Sequence, residues 1–157
     1  MITVQEVVPS VAKNICFDIT ATLPEWFGQP DANQRYAEGV ARRVALCCFS
    51  ASQPVGLISL EFQYPANGNI YWMGVARHAH HQGIGSALMN AAKTYCIQQG
   101  CRFITVETLS EKNCDETYLH TYHFYKKHGF IPLFEMHTHG PDFLMVYMLK
   151  ELADDKL

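Results

Sequence analysis

The sequence predicts an α+β fold, a mixed β-sheet of about six to seven strands flanked by about four helices. Three observations carry this. Residues 44–77 hold three successive apolar runs of strand length separated by turn signals. Residues 70–109 read as strand, helix, strand, and the chain beyond 110 passes through one more helix into two further strands. A strand–helix–strand unit implies a right-handed crossover and parallel pairing, whereas strands joined by tight turns pair antiparallel, so the sheet is mixed.

Taken in order, ITVQEVV (2–8) alternates as a short first strand. Pro9 and Ser10 end it, and Ser10 is placed to cap a helix over roughly 11–22. The loop LPEWFGQP carries Trp26 and Phe27 between the breakers Pro24, Gly28 and Pro30, and a second helix follows from Asp31. Strands are then expected at VALCCFSAS (44–52), at VGLISLEFQY (55–64) after a turn at Gln53 and Pro54, and at IYWMGVAR (70–77) after PANGN. Asn67-Gly68 within that turn is a hairpin signal, because both residue types tolerate positive φ. From Gly83 the period becomes helical: Ala87, Leu88, Ala91, Ala92, Tyr95 and Cys96 predict a helix over 85–99 that Gly100 stops. FITVETL (103–109) is a short apolar strand, and Asp115 opens a helix to about His128 that Gly129 closes. FIPLFEM and FLMVYML form the last two strands around the turn HTHGPD, with Met136, Met145 and Met148 read as core.

The 157 residues are expected to form a single domain, 1–157, long enough to bury roughly 68–70% of the unfolded chain's surface without staples. A composition of 48% hydrophobic and 17% charged residues excludes disorder and coiled coil. The net charge of −3 arises within residues 1–40, where Glu6, Asp18, Glu25, Asp31 and Glu38 face only Lys13 and Arg35. Without a basic field the chain is not expected to hold nucleic acid or an anionic membrane, and a small-molecule partner moves forward. No apolar run approaches the ~18 residues of a membrane span, and the N-terminus lacks the pattern of a signal peptide, so a cytoplasmic location is expected. Six cysteines without a CxxC pair are read as reduced thiols packed as small hydrophobes.

The most informative stretch is VARHAHHQGIGSALMNAA (75–92), where a strand runs through a glycine-bearing turn into a helix. Gly83 and Gly85 let the backbone approach a ligand, and the first-turn N–H groups of the helix offer an anion site at the favourable end of its dipole. The pattern is neither GxGxxG, since residue 88 is Leu, nor a P-loop, since no GK[ST] follows.

His80-His81-Gln82-Gly83-Ile84-Gly85, followed by Ser86, Ala87 and Leu88, resembles the [RQ]xxGx[GA] pyrophosphate motif of the GNAT superfamily of acetyl-CoA-dependent N-acetyltransferases. Phe124-Tyr125-Lys126-Lys127-His128-Gly129-Phe130 resembles the FYxxxGF that ends the family's fourth helix, at a compatible separation. The first motif position departs from the family pattern, with His80 where Arg or Gln is usual. The resemblance implies a GNAT fold with a strongly twisted sheet, and acetyl-CoA as co-substrate in a splay between residues 70–75 and 103–109. The pyrophosphate would lie on His80 to Ser86, and the pantetheine arm on the backbone of Met73, Gly74 and Val75, with Gly74 suiting a bulge. Tyr125 would stand near the cofactor sulfur and protonate the departing thiolate.

Acetylation of an amine also needs a base, because a protonated amine has no lone pair for attack. Glu107, in the middle of an apolar strand, and Glu61 are the carboxylate candidates, each alternatively a solvated or ion-paired group. All eight histidines lie between 78 and 139, but the first three belong to the turn that the cofactor motif already explains, so no metal is expected. The resemblance also implies that the first two helices and their loop cover the acceptor side, which makes Trp26, Phe27 and the neighbouring acids candidates there, alternatively a plain hydrophobic anchor; with the −3 of residues 1–40, a small-molecule or peptide amine of cationic character is the expected partner. A homodimer is left open. The rival reading is a noncatalytic acyl-CoA-binding sensor on the same fold.

Overall fold

A computed structural model describes residues 1–152. The elements are β1 (Ile2–Glu6), α1 (Pro9–Ala21), α2 (Pro30–Val40), β2 (Val44–Ser50), β3 (Gln53–Tyr64), β4 (Asn67–Val75), α3 (Ile84–Gln98), β5 (Phe103–Leu109), α4 (Glu116–Lys127), β6 (Ile131–Met136) and β7 (Met145–Glu151). Single 3-10 turns stand at Arg77–Ala79 and Glu111–Asn113. The strands form a mixed seven-stranded sheet in the order β1-β2-β3-β4-β5-β7-β6, as the α+β reading requires. Internal contacts group the chain into two compact units. One is Met1–Glu61 with Ile70–Tyr95, and the other is Phe62–Asn69 with the described chain from Cys96 onward.

In the first unit β1 pairs antiparallel with β2, and β2 with β3. Helix α1 buries Ala12, Ile15, Cys16, Ile19 and Thr20, one stripe at helical spacing, and Thr20 satisfies its hydroxyl by donating to Phe17 O at 2.9 Å. This stripe joins Leu23, Ala37, Val40, Ala45, Cys47, Leu57 and Trp72 in one apolar core. Two expectations change here. Helix α1 begins at Pro9, with Val8 as an N-cap that makes no side-chain bond, because proline's fixed φ suits the first helical position and leaves Ser10 inside the helix. The β2–β3 turn is Ala51-Ser52, at φ 49° and 64°, while Gln53 and Pro54 belong to β3. Two successive left-handed residues form the mirror-image turn whose twist matches the flanking strands.

In the second unit β5 and β7 pair antiparallel, and each buries alternate residues: Ile104, Val106 and Thr108 on one, Val146 and Met148 on the other. Tyr122 and Tyr125 of α4 are buried along with Phe130. Asp115 caps α4 by accepting from Tyr118 N at 3.0 Å. Asn67-Gly68 is not the hairpin turn. Pro65 and Ala66 turn the chain, and Asn67 is already in β4, where its Nδ2 donates to Thr105 Oγ1 at 2.8 Å. Gly68 serves packing, since a Cβ there would stand 2.4 Å from Cys96 Sγ. Of the three methionines read as core, Met148 is fully buried, Met145 half-buried, and Met136 on β6 is exposed. Edge position explains this, because β6 has only β7 beside it and its side chains from Ile131 to Phe134 are exposed.

Five of the six cysteines are buried free thiols, and Cys114 is half-buried. Burial pushes the Cys16, Cys47 and Cys96 thiols up to about 12, because a thiolate in apolar surroundings loses its hydration.

Candidate functional site

The end of β4, the turn after it and the start of α3 form one continuous piece of the first unit. Ala76 N–H donates to Val55 O of the neighbouring strand at 2.9 Å. In an extended antiparallel strand the backbone groups alternate sides, so those of Val75 and Met73 turn to the edge away from β3. Met73 and Val75 are half-buried. What excludes a side chain at Gly74 is the Trp72 ring, whose atoms would stand 2.5 Å from a Cβ there.

The turn itself is held by its own side chains. His80 Nε2 lies 2.8 Å from Val75 O. A carbonyl can only accept, so this nitrogen carries the proton. The ring also meets Trp26 edge-on, with centroids 6.0 Å apart. His81 adopts φ 60°, exposed Gln82 donates to His78 O at 3.0 Å, and Gly83 takes φ 78°. Nothing lies within 4 Å of where a Gly83 Cβ would be, so the space beside the turn is open. Gly83 O accepts from Ala87 N at 3.0 Å and starts the helical ladder. Ile84 and Gly85, in the first helical turn, therefore have N–H groups with no carbonyl one turn earlier to receive them, and Ser86 follows in the same turn. These features fit a pyrophosphate group: an open cradle, backbone donors and the positive end of a 15-residue helix. Ile84 and Leu88 anchor the helix start on β3, where a Cβ on Gly56 would fall 2.8 and 2.9 Å from their side chains.

Arg77 ties this turn to the loop between α1 and α2. Its Nε donates to Thr22 O at 2.9 Å, its backbone N–H to Thr22 Oγ1 at 3.2 Å, and its Nη2 pairs with Glu25. The backbone N–H of Glu25 and this guanidinium hold the Glu25 carboxyl below the usual carboxylate range. Neither Arg77 nor Gly56 stood out in the sequence. Arg77 lies two residues beyond the end of β4, and a charge just before the glycine-bearing turn is the one signal that marked it.

The two candidate bases are both engaged. Glu61 Oε2 accepts from Arg43 Nε at 2.7 Å. Arg43 also donates to Gly39 O at 2.9 Å, and its guanidinium lies 3.8 Å over the Tyr71 ring. Glu107, in the second unit, bonds Thr138 and has His139 Nε2 at 3.3 Å, so its carboxylate faces the β6–β7 loop. Tyr125, also in the second unit, is 6% exposed and packs edge-on against Phe124 and Phe130, each at 5.6 Å. Burial pushes its phenol up, so it stays protonated at neutral pH. Among the described residues no group of three or more His, Cys, Asp or Glu is placed to hold a metal ion, and no helix is long and apolar enough to cross a membrane.

Residues 15–130 match the sequence profile of the Acetyltransferase (GNAT) family. The chain belongs to that family. A search of curated protein sequences finds no match. Solved GNAT structures resemble it along their whole length. A GNAT-family protein from Desulfovibrio desulfuricans superposes with a TM-score of 0.79 at 18% identity, covering 98% of this chain and 100% of the other. An aminoglycoside 6′-N-acetyltransferase complexed with coenzyme A gives 0.76 at 21% identity, covering 97% and 98%. The ribosomal-protein-S18-alanine N-acetyltransferase of Escherichia coli gives 0.77 at 13% identity, covering 100% and 99%. At such identities the likeness concerns the GNAT fold. The turn at His80 to Ser86 and the helix end at Phe124 to Phe130, where the sequence resembles the family's motifs, both lie within the matched span.

Proposed function

We propose that this GNAT protein transfers an acetyl group from acetyl-CoA to a primary amine by direct attack. The observation that carries the reading is the open cradle at Gly83, Ile84 and Gly85, with its left-handed glycine and helix-start donors. Bound acetyl-CoA supplies an activated acetyl group. The chain's own part is to hold the pyrophosphate on the first turn of α3 and the pantetheine arm on the backbone of Met73 and Val75. The carbonyl of Val75 already receives His80, so the arm is proposed to meet the N–H of Val75. His80 thereby acts on the strand end rather than on phosphate.

In the transfer, the amine nitrogen bonds the acetyl carbon, the carbon–sulfur bond breaks with its electron pair on sulfur, and one proton leaves nitrogen while one reaches sulfur. Tyr125 is the proposed donor, since its phenol remains protonated. Glu61 or Glu107, directly or through water, is the proposed acceptor. The test is acetyl-CoA-dependent release of free thiol across an amine panel. Thiol release above the hydrolysis rate only when an amine is present supports transfer. Acetyl-CoA binding with no release for any amine makes the protein an acyl-CoA sensor instead.

A further inference from the structure

Glu61 and Glu107 are each covered by a basic side chain, and the two bases differ in what they can do with a proton. Arg43, on Glu61, carries a guanidinium that stays protonated and so accepts nothing. His139, on Glu107, carries an imidazole, the side chain suited to taking up and releasing a proton near neutrality. This second assembly lies wholly in the second unit and is built by a tight turn. Gly140 N–H donates to His137 O at 3.4 Å, which makes Thr138 and His139 the central residues, and Gly140 at φ 108° carries the chain onward. Ser110 N–H, just past β5, donates to Leu144 O at 2.8 Å and fixes the far end of the β6–β7 loop to that strand. Thr138 Oγ1 donates to Glu107 Oε1, and His139 Nε2 stands 3.3 Å from the same oxygen. Exposure grades outward, from 22% at the Glu107 side chain to 57% at that of His139, so a group arriving from solvent meets the imidazole first. A carboxylate oxygen only accepts. In the neutral ring the proton therefore belongs on Nε2, and Nδ1 keeps its lone pair.

From these we infer that His139 is the general base of the amine acetylation, with Glu107 as its positioning residue and Thr138 holding the carboxylate. The inference rests on the proposed acetyl transfer and moves the proton-accepting role from Glu107 to the imidazole it holds. Nδ1 takes one proton from the amine nitrogen as that nitrogen bonds the acetyl carbon. The imidazolium so formed faces the Glu107 carboxylate across 3.3 Å, a charge-assisted contact that stabilises it. The carbon–sulfur electron pair stays on sulfur, which Tyr125 protonates, and the exposed imidazolium then returns its proton to water. The other titratable groups of the elements that meet here are His137 and Asp142 of the same loop and Tyr147, opposite Glu107 on β7.

The test follows thiol release from acetyl-CoA in single turnovers with ethanolamine, phenethylamine, spermidine and an alanine-initiated peptide as amines. His139→Ala is expected to melt like the wild type and to lose about 10²-fold in transfer rate, with its dependence on amine concentration little changed. Added free imidazole is expected to restore part of that rate, which it could not do for a ring that merely braced the loop. Nitrogen NMR of the free protein is expected to show the neutral His139 ring, identified by its loss in His139→Ala, protonated at Nε2, with mixed tautomers in Glu107→Gln. Transfer by His139→Ala at the wild-type rate, or a loss that imidazole leaves unchanged, overturns the inference while acetyl transfer stands. Mixed tautomers in the wild type overturn Glu107 as the positioning residue. Absence of thiol release by the wild type with all four amines removes the transfer itself, and its base with it.

Discussion

Arg43 and Glu61 make a single hydrogen-bonded ion pair at 2.7 Å, with side chains only 25% and 19% exposed, and the same guanidinium covers the Tyr71 ring at 3.8 Å. One arginine thus joins the end of α2, β3 and β4 within the first unit. Its removal would leave the Glu61 carboxylate largely desolvated without its cation, which lies between the small effect of an exposed pair and the large one of a buried pair.

Arg43→Met is expected to cost about 2 kcal/mol in urea unfolding, whereas Arg43→Met combined with Glu61→Gln recovers part of this. The double-mutant cycle should give a coupling of about 1 kcal/mol. Strictly additive single effects would mean that the pair contributes only packing.

Gly83 offers a cleaner separation of fold from ligand. Its φ of 78° with open space around the missing Cβ makes the cost of a side chain one of backbone conformation alone. Gly83→Ala should therefore destabilise by roughly 1–2 kcal/mol, and Gly83→Asn by less, because asparagine tolerates the left-handed region. Asparagine's side chain still enters the space the pyrophosphate would take. Calorimetry on folded Gly83→Asn should show acetyl-CoA affinity at least tenfold weaker, about 1.4 kcal/mol. Unchanged affinity would move the cofactor elsewhere.

Strong periodicity made parts of this fold legible. Helix α3 was expected at 85–99 and runs Ile84–Gln98, and β5 agrees residue for residue, because unbroken apolar spacing bounded by glycine leaves few alternatives. Glycine and proline were legible as breakers but not in their roles. Gly68 reads as a turn residue until Cys96, far along the chain, is seen to occupy the space of its Cβ. Gly39 lies inside α2 for the same reason, since a Cβ would fall 2.1 Å from the Tyr71 hydroxyl. The glycine-bearing turn into α3 was readable because it is local and rests on backbone geometry. Arg77 was not, because its partners Thr22 and Glu25 lie 55 and 52 residues away. The engagement of both carboxylates by Arg43, Thr138 and His139 was hidden similarly. The sequence left each acid as a candidate base or as a solvated or ion-paired group, and the partners that decide for engagement are remote in the chain.

Helix capping yields a prediction from one of those misreadings. Val8 is the N-cap of α1, in extended conformation at φ −69° and ψ 156°, 60% exposed and without a side-chain bond. Val8→Ser supplies the acceptor that the first turn lacks and is expected to stabilise by about 0.5–1 kcal/mol. Asp115→Ala at α4, where the cap is present, should cost about 1 kcal/mol. Thermal melts of the two single variants should shift in opposite directions.

Tyr125→Phe keeps both ring contacts and removes one hydroxyl. With the phenol pushed up by burial, the wild-type kcat profile should show no loss from this group below pH 10. The variant should fold normally and lose about 10²-fold in kcat, near the low end for a general acid, since a coenzyme thiolate leaves readily. An unchanged kcat under conditions where chemistry limits the rate would make Tyr125 a packing residue.

The buried thiols predict how stability depends on alkaline pH. Cys16, Cys47 and Cys96 move from 9.0 to about 12 on folding, each chiefly by desolvation. Between those values the unfolded chain has released the protons that the folded chain still binds. Fewer protons on the unfolded state make stability fall as pH rises, so the stabilisation is complete below pH 9 and lost progressively from there toward 12. Each thiol contributes a slope of on the order of 1 kcal/mol per pH unit within that window. Urea unfolding of the wild type at pH 8, 9 and 10 should be nearly level up to 9 and steep beyond it. Cys47→Ala loses some packing at every pH, yet its decline above pH 9 should be shallower by one thiol's share. An equally steep decline in Cys47→Ala would mean that this thiol ionises in the folded protein as readily as in the unfolded chain.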